Sequence, residues 1–199
     1  MALRPDVIFG AFDRVEKLER DAGLTVVTLG RPGGFVASIA EVLDAIRAID
    51  RVLHGDAERS DRLVARLSGE IGDVERRVKG RPRRQVAFVY VPRRWAPTVA
   101  GKNTPEHDLL LRAGAENLFA DVDSYKAVSL EALISLDPEV LVTNIDHVSH
   151  ALEDPRFQGL RAVKRRQVIG VKASRITSSR FTLTLRNLAR KLHPSAFSE

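Results

Sequence analysis

The stretch Asp56–Lys79, DAERSDRLVARLSGEIGDVERRVK, constrains this chain more than any other. It holds no proline, and Leu63, Val64, Leu67, Ile71, Val74 and Val78 recur every three or four positions. That spacing lines one face of an α-helix. Asp56 can accept from the free N–H groups of the first turn, and Gly55 ends the helix before it. At 1.5 Å per residue such a helix reaches about 36 Å, the width of a small domain. The segments before and after it resemble each other in pattern. Together these features predict an α/β protein of two lobes with parallel sheets, residues 1–55 and 80–199, joined by one spine helix over 56–79.

Pro5–Gly10 (PDVIFG) reads as a buried strand opened by proline and closed by glycine. A helix over Phe12–Ala22 follows, stopped by Gly23, and then a β-branched strand, Leu24–Leu29. Ser38 and Glu41 have the spacing of a capping box, each side chain satisfying the other's backbone N–H, for a helix that ends at Gly55. Beyond the spine, Gln85–Val91 is apolar on both faces, as a central parallel strand is. Thr104 with Pro105 opens a helix through Ala113, and Ser129 opens Leu130–Leu136. Glu139–Thr143 and Gln167–Val171 read as strands, and Ser178 or Ser179 as the start of a last helix stopped before Pro194. Residues 92–103 and 114–123 read as irregular.

An internal match supports the two-lobe reading. Leu3–Phe9 (LRPDVIF) parallels Leu136–Val142 (LDPEVLV). A second strand, a loop and an amphipathic helix then follow in the same order on both sides of the spine. Proline, an acid and aliphatic residues are also a common way to begin a strand.

Composition removes several classes of function. There is no cysteine, which excludes disulfides, thiolate zinc sites, thiol catalysis and a lipid-anchoring cysteine within these residues. No apolar run reaches 18 residues, and MALRPDVIFG lacks the pattern of a signal peptide. The chain is therefore expected to be cytosolic or a piece whose export signal lies outside it. A net charge of +6 leaves nucleic acid, an anionic membrane surface or an acidic ligand open. The basic groups Arg76–Arg84 and Arg161–Arg166 lack interleaved aromatics and read as solvated charge. GRPGG lacks the Lys-Ser/Thr of a phosphate loop, and no catalytic triad or converging carboxylate pair is evident.

Several stretches resemble the substrate-binding proteins of ABC importers for metal chelates: cobalamin, ferric siderophore or haem. They are Leu3–Gly10, Gly23–Leu29, the spine, Gly101–Asp121, Val128–Val142 and Val163–Val171 leading into the last helix, which ends LHPSAF, with AGAENLFAD and VSLEALISLDPEVLV the most specific. The resemblance implies two α/β lobes on one long helix, with ligand held between them and no covalent chemistry. It implies periplasmic or extracellular placement, ABC permease subunits as partners and no resident cofactor. It also implies βα units ahead of Leu3, so the first lobe is expected to be incomplete and pairing with another copy is plausible. In the family a glutamate placed like Glu131 docks on permease arginines; a first-turn acid favoured by the helix dipole is the plainer role. A basic nucleic-acid-binding protein and an unrecognised α/β enzyme stand as alternatives.

Open α/β sheets bind ligands beyond the carboxyl ends of their strands. Trp95, Lys102 and Asn103 follow the first strand of the second lobe, Asn144 and Asp146 the second, and Arg175 the third. Trp95 could stack on a planar macrocycle or cover a core edge. Lys102 and Arg175 could meet an anionic group or simply be solvated. His147 and His150 beside Asp146 lack a third spaced ligand, which falls short of a metal site and leaves solvent-facing histidines.

Overall fold

The computed structural model describes residues 5–10, 23–31, 36–91 and 96–198. The helix expected over Phe12–Ala22 and the side chain of Trp95 lie outside those residues.

Two sheets are present among the described residues. In the first, β1 (Ile8–Gly10) and β2 (Val26–Thr28) run parallel, with Ile8 opposite Val26. The second is built on β3 (Arg84–Tyr90). One edge of β3 is parallel to β7 (Val140–Asn144), which is parallel in turn to β8 (Val168–Val171). The other edge is shared by β5 (Ala115–Asn117), parallel, and β4 (Thr98–Ala100), antiparallel. Outermost is β6 (Tyr125–Ala127), antiparallel to β4.

The internal match extends to backbone register. Aligning Pro5 with Pro138 places Ile8 on Leu141. Ile8 pairs with Val26, and its N–H donates to the Thr25 carbonyl at 2.8 Å. Leu141 pairs with Val168, and its N–H reaches the Gln167 carbonyl at 3.0 Å. The two parallel pairs therefore repeat strand for strand.

The helices start where side chains can cap them. Ser38 Oγ accepts from Glu41 N at 3.2 Å to open α1 (Ile39–His54). The expected capping box is corrected in one half: the Glu41 carboxylate takes the N–H of Ala37 at 2.7 Å, one residue further back than Ser38. The spine is α2 (Glu58–Val78), and its cap position, Ala57, offers no side-chain bond. The acceptor comes instead from α1. Buried Asp50 accepts from Ser60 N and from His54 Nδ1, each at 2.8 Å, while Asp56 reaches only Glu58 N. The Ser60 N–H holds the Asp50 carboxyl below its ordinary range. One carboxylate thus fixes the elbow between the two helices.

The apolar face of α2 is a wall of the second lobe. Leu67, Ile71, Val74 and Val78 share a core with Phe88 of β3 and with Ile39 and Val42 of α1. That core also takes Leu109 of α3 (Pro105–Arg112) and Phe181 and Leu185 of α7 (Phe181–Leu192). The first turn of α1 is tied across as well, Ile39 N donating to Asp108 of α3 at 2.8 Å. Ala87, Val89 and Leu141 face the other way. They meet Leu133 of α4 (Leu130–Leu136) and Phe157, with α5 (Val148–Glu153) and α6 (Arg161–Lys164) completing that layer. Burial of β3 on both faces matches its unbroken apolar run.

Three expectations change. Residues 92–103 and 114–123 are not wholly irregular, since they contain β4 and β5, and β6 follows. The last helix begins at Phe181, because Ser178 closes a turn ahead of it, donating to Arg175 O and accepting from Arg180 N. Within the second basic group Arg161 is not simply solvated: its backbone N–H donates to Asp137 Oδ1 at 3.0 Å and its guanidinium to Asp137 O at 2.8 Å.

Candidate functional site

Tyr90, Asn144 and Val171 end adjacent strands, and Asn144 pairs with Val171. This is the carboxyl edge, where the chain leaves the sheet and side chains can converge on a ligand. Asn144, half-buried, leads into a tight turn, Ile145–His147, that exposes Asp146. The turn rests on β8 because residue 170 is glycine: a Cβ there would lie 2.6 Å from Val148 Cγ2 and 3.0 Å from Ile145 Cα. Arg175, also half-buried, sits in the next turn, Ala173–Arg175. Asn144, Asp146 and Arg175 therefore issue from neighbouring strands.

Lys102 and Asn103 are placed differently from the sequence expectation. Strand β4 runs antiparallel to β3, with Thr98 opposite Tyr90 and Val99 opposite Val89, so it carries the chain back from the edge. Lys102 then bridges to Asp123, and Asn103, at φ 61°, donates Nδ2 to Asp123 Oδ1 at 2.7 Å. Strand β6 returns toward the edge and delivers Ser129 and Glu131. Ser129 Oγ accepts from Ala132 N to cap α4. The Glu131 carboxyl is held below its ordinary range by its own backbone N–H and by Ser129, and it is exposed. It presents a negative charge from the first turn of α4.

Sequence reasoning missed a cluster beside this edge. Tyr90 and Tyr125 donate to the two oxygens of Glu106, at 2.7 and 2.6 Å. Glu106 is only 4% exposed, so two phenols replace the water its carboxylate would otherwise need. Burial and the Glu106 charge push both phenol pKa values far up, which keeps them as donors. Tyr125 is 37% exposed and packs edge-on to Tyr90, with ring centres 6.2 Å apart. The three residues are spread over positions 90, 106 and 125, and no local motif links them.

Asn117 holds the neighbouring turn. Its Nδ2 donates to Ala100 O at 2.9 Å and to His107 Nδ1 at 3.0 Å, and its Oδ1 accepts from Phe119 N at 3.1 Å. Burial lowers the His107 pKa, in keeping with a neutral ring whose Nδ1 accepts. This asparagine is the Asn of AGAENLFAD, which gives that motif a physical reason.

The histidines depart from expectation. His147 and His150 are half-buried rather than solvent-facing, because the chain from 145 folds back over β8. His150 Nε2 lies 3.3 Å from Asp154, and His147 Nδ1 has no hydrogen-bond partner among the described residues. Among the described residues no group of three His, Cys, Asp or Glu side chains could hold a metal ion. Nor is any described helix long and apolar enough to cross a membrane.

Two α/β units about one long helix, with polar side chains at a carboxyl edge, define the class of bilobal binding proteins. The chain belongs to the periplasmic binding protein family, whose model matches residues 1–174. This bears out the resemblance carried by AGAENLFAD and VSLEALISLDPEVLV. An ABC transporter substrate-binding lipoprotein of Bacillus subtilis (strain 168) is 25% identical over 211 residues. That match takes in 100% of this chain, which spans 65% of the relative's length. An ABC-type Fe3+-hydroxamate transport protein of Saccharomonospora viridis superposes at TM-score 0.80 with 25% identity, covering 94% of this chain and 68% of that one. The fold is shared too with the periplasmic haem-binding protein RhuT of Roseiflexus, at TM-score 0.80 and 24% identity over 97% and 77% of the two chains. A Helicobacter pylori protein with Ni(II) bound gives 0.82 and 20% over 98% and 63%.

Proposed function

We propose that this chain is the solute-binding component of an ABC importer for a metal chelate, capturing ligand between lobes and handing it to a membrane permease. The observation that carries the reading is the repeated parallel strand pair, in the same register, on either side of one unbroken helix. Each copy offers a carboxyl edge to a ligand, and the stiff spine limits their relative motion to a small hinge. Family membership and the relatives for ferric hydroxamate and haem supply the ligand class. Asn144, Asp146 and Arg175 would meet polar groups at the rim of a chelate, and Tyr125 and Trp95 its apolar faces. Capture of this kind needs no covalent chemistry. The family's periplasmic description and a relative described as a lipoprotein support work on the periplasmic or extracellular side.

A thermal-shift screen with a ferric hydroxamate, haem and cobalamin tests the reading. A ligand at a hundred times its dissociation constant stabilises the fold by about 2.7 kcal/mol. No rise in melting temperature with any of the three overturns it.

Glu131 is the proposed permease contact. Glu131→Arg sets like charges against arginines of the partner, at a cost of several kcal/mol. Uptake should fall by about tenfold or more with the far-ultraviolet dichroism unchanged. Wild-type uptake by the variant removes Glu131 from the interface.

A further inference from the structure

We propose that the cavity at the amino edge of the six-stranded sheet, away from the ligand edge, is an anion site for two or more phosphate charges, carried by one molecule or by adjacent lipid headgroups. It has a volume of 510 Å³ and lies between the C-terminal ends of α2 and α3 and the connector into β3. Lys79, Arg81, Arg83 and Arg112 line it, and among the described residues Glu75 and Asp108 are its only acids.

Both acids are already engaged. Arg112 binds Glu75 at 2.8 Å and Asp108 at 3.0 Å, and Asp108 also takes the N–H of Ile39. Lys79, Arg81 and Arg83 are exposed, and their side chains have neither a hydrogen bond nor an ion pair among the described residues. Four cations against two carboxylates leave two positive charges at one cavity. The two helix C-termini offset about one of them, at roughly half a charge each. Arg81 and Arg83 lie beyond the end of α2, so they exceed what its dipole requires.

The connector is built to hold them. Gly80 turns at φ 74°, Arg81 N bonds back to Val78 O at 3.1 Å, and Pro82 fixes the next step. Two arginine forks on a short, braced segment suit phosphate oxygens, which accept several donors at once. The cavity volume is within the range of small-molecule sites.

The test is titration calorimetry of the whole chain with inorganic tripolyphosphate at physiological salt, beside co-sedimentation with phosphatidylglycerol vesicles. Saturable tripolyphosphate binding is expected, weakened about tenfold by the pair Arg81→Ala and Arg83→Ala. The pair Arg165→Ala and Arg166→Ala removes the same charge outside the cavity and should leave affinity within about twofold. Vesicle binding that needs Arg81 and Arg83, without tripolyphosphate affinity, supports the site and assigns its phosphates to lipid headgroups. Binding of neither probe, or equal losses in both paired variants, overturns the proposal.

Discussion

Replacing Asn117 by alanine should lower the stability of the fold by about 3–5 kcal/mol, since each stranded buried group costs roughly 1–3 kcal/mol. Asn117 is 3% exposed and makes three hydrogen bonds, to Ala100 O, His107 Nδ1 and Phe119 N. Ala100 and Phe119 are themselves buried, so water cannot replace what the amide provides. The variant Asn117→Asp separates the donor from the acceptor role. It keeps an acceptor for Phe119 N but turns a carboxylate oxygen toward the Ala100 carbonyl, so it should be nearly as damaging at neutral pH. Urea unfolding followed by circular dichroism measures both. A loss below about 1 kcal/mol for the alanine variant would mean that the turn is held by packing alone. The effect bears on the site because Ala100 pairs with Tyr125, whose phenol reaches Glu106.

This asparagine also shows what a sequence reader can and cannot see. AGAENLFAD stood out as a stretch, yet nothing in it says which residue bonds to what. Asn117 meets partners 10 and 17 residues away, and only the fold brings them into reach. Helix starts were easier. Ser38, Thr104 with Pro105, and Ser129 cap through bonds three residues away, so the signal and its partner share one short segment. Where the cap comes from elsewhere, local reasoning fails. Asp56 was the natural candidate for α2, but Asp50, ten residues before Ser60, fills the place because the elbow between α1 and α2 brings it there. The strands divide in the same way. The apolar runs of β3 and β7 announce burial on both faces, and β8, at the sheet's edge, alternates between buried and half-buried residues. Strands β4, β5 and β6 have three residues each and exist because a neighbour offers an edge. Missing β4 placed Lys102 and Asn103 at the carboxyl edge, when its antiparallel course leads them away. The Tyr90–Glu106–Tyr125 cluster lies on three separate elements and had no pattern to betray it.

Gly101→Ala and Gly69→Ala should change stability in opposite directions, although the substitution is the same. Gly101 is buried beside the turn that Asn117 braces, its N–H bonded to Ser124 O at 2.9 Å. A Cβ at that position would overlap the Val122 carbonyl oxygen and lie 2.7 Å from the carbonyl carbon. Backbone atoms cannot rotate aside, and the strand is pinned by the Ser124 bonds and by Thr104 Oγ1 donating to Gly101 O at 2.6 Å. Overpacking usually costs 1–3 kcal/mol, and a clash with pinned backbone belongs at or above the top of that range, about 3 kcal/mol or more. Gly69 lies exposed in the interior of α2 with nothing within 4 Å of an added Cβ. There alanine lowers the entropy of the unfolded chain and should stabilise by up to about 1 kcal/mol. Thermal melts of the two variants read both signs. A Gly101→Ala melt at the wild-type temperature would mean that the rim around residues 101–124 is looser than its hydrogen bonds imply, and with it the seating of Tyr125 on Glu106.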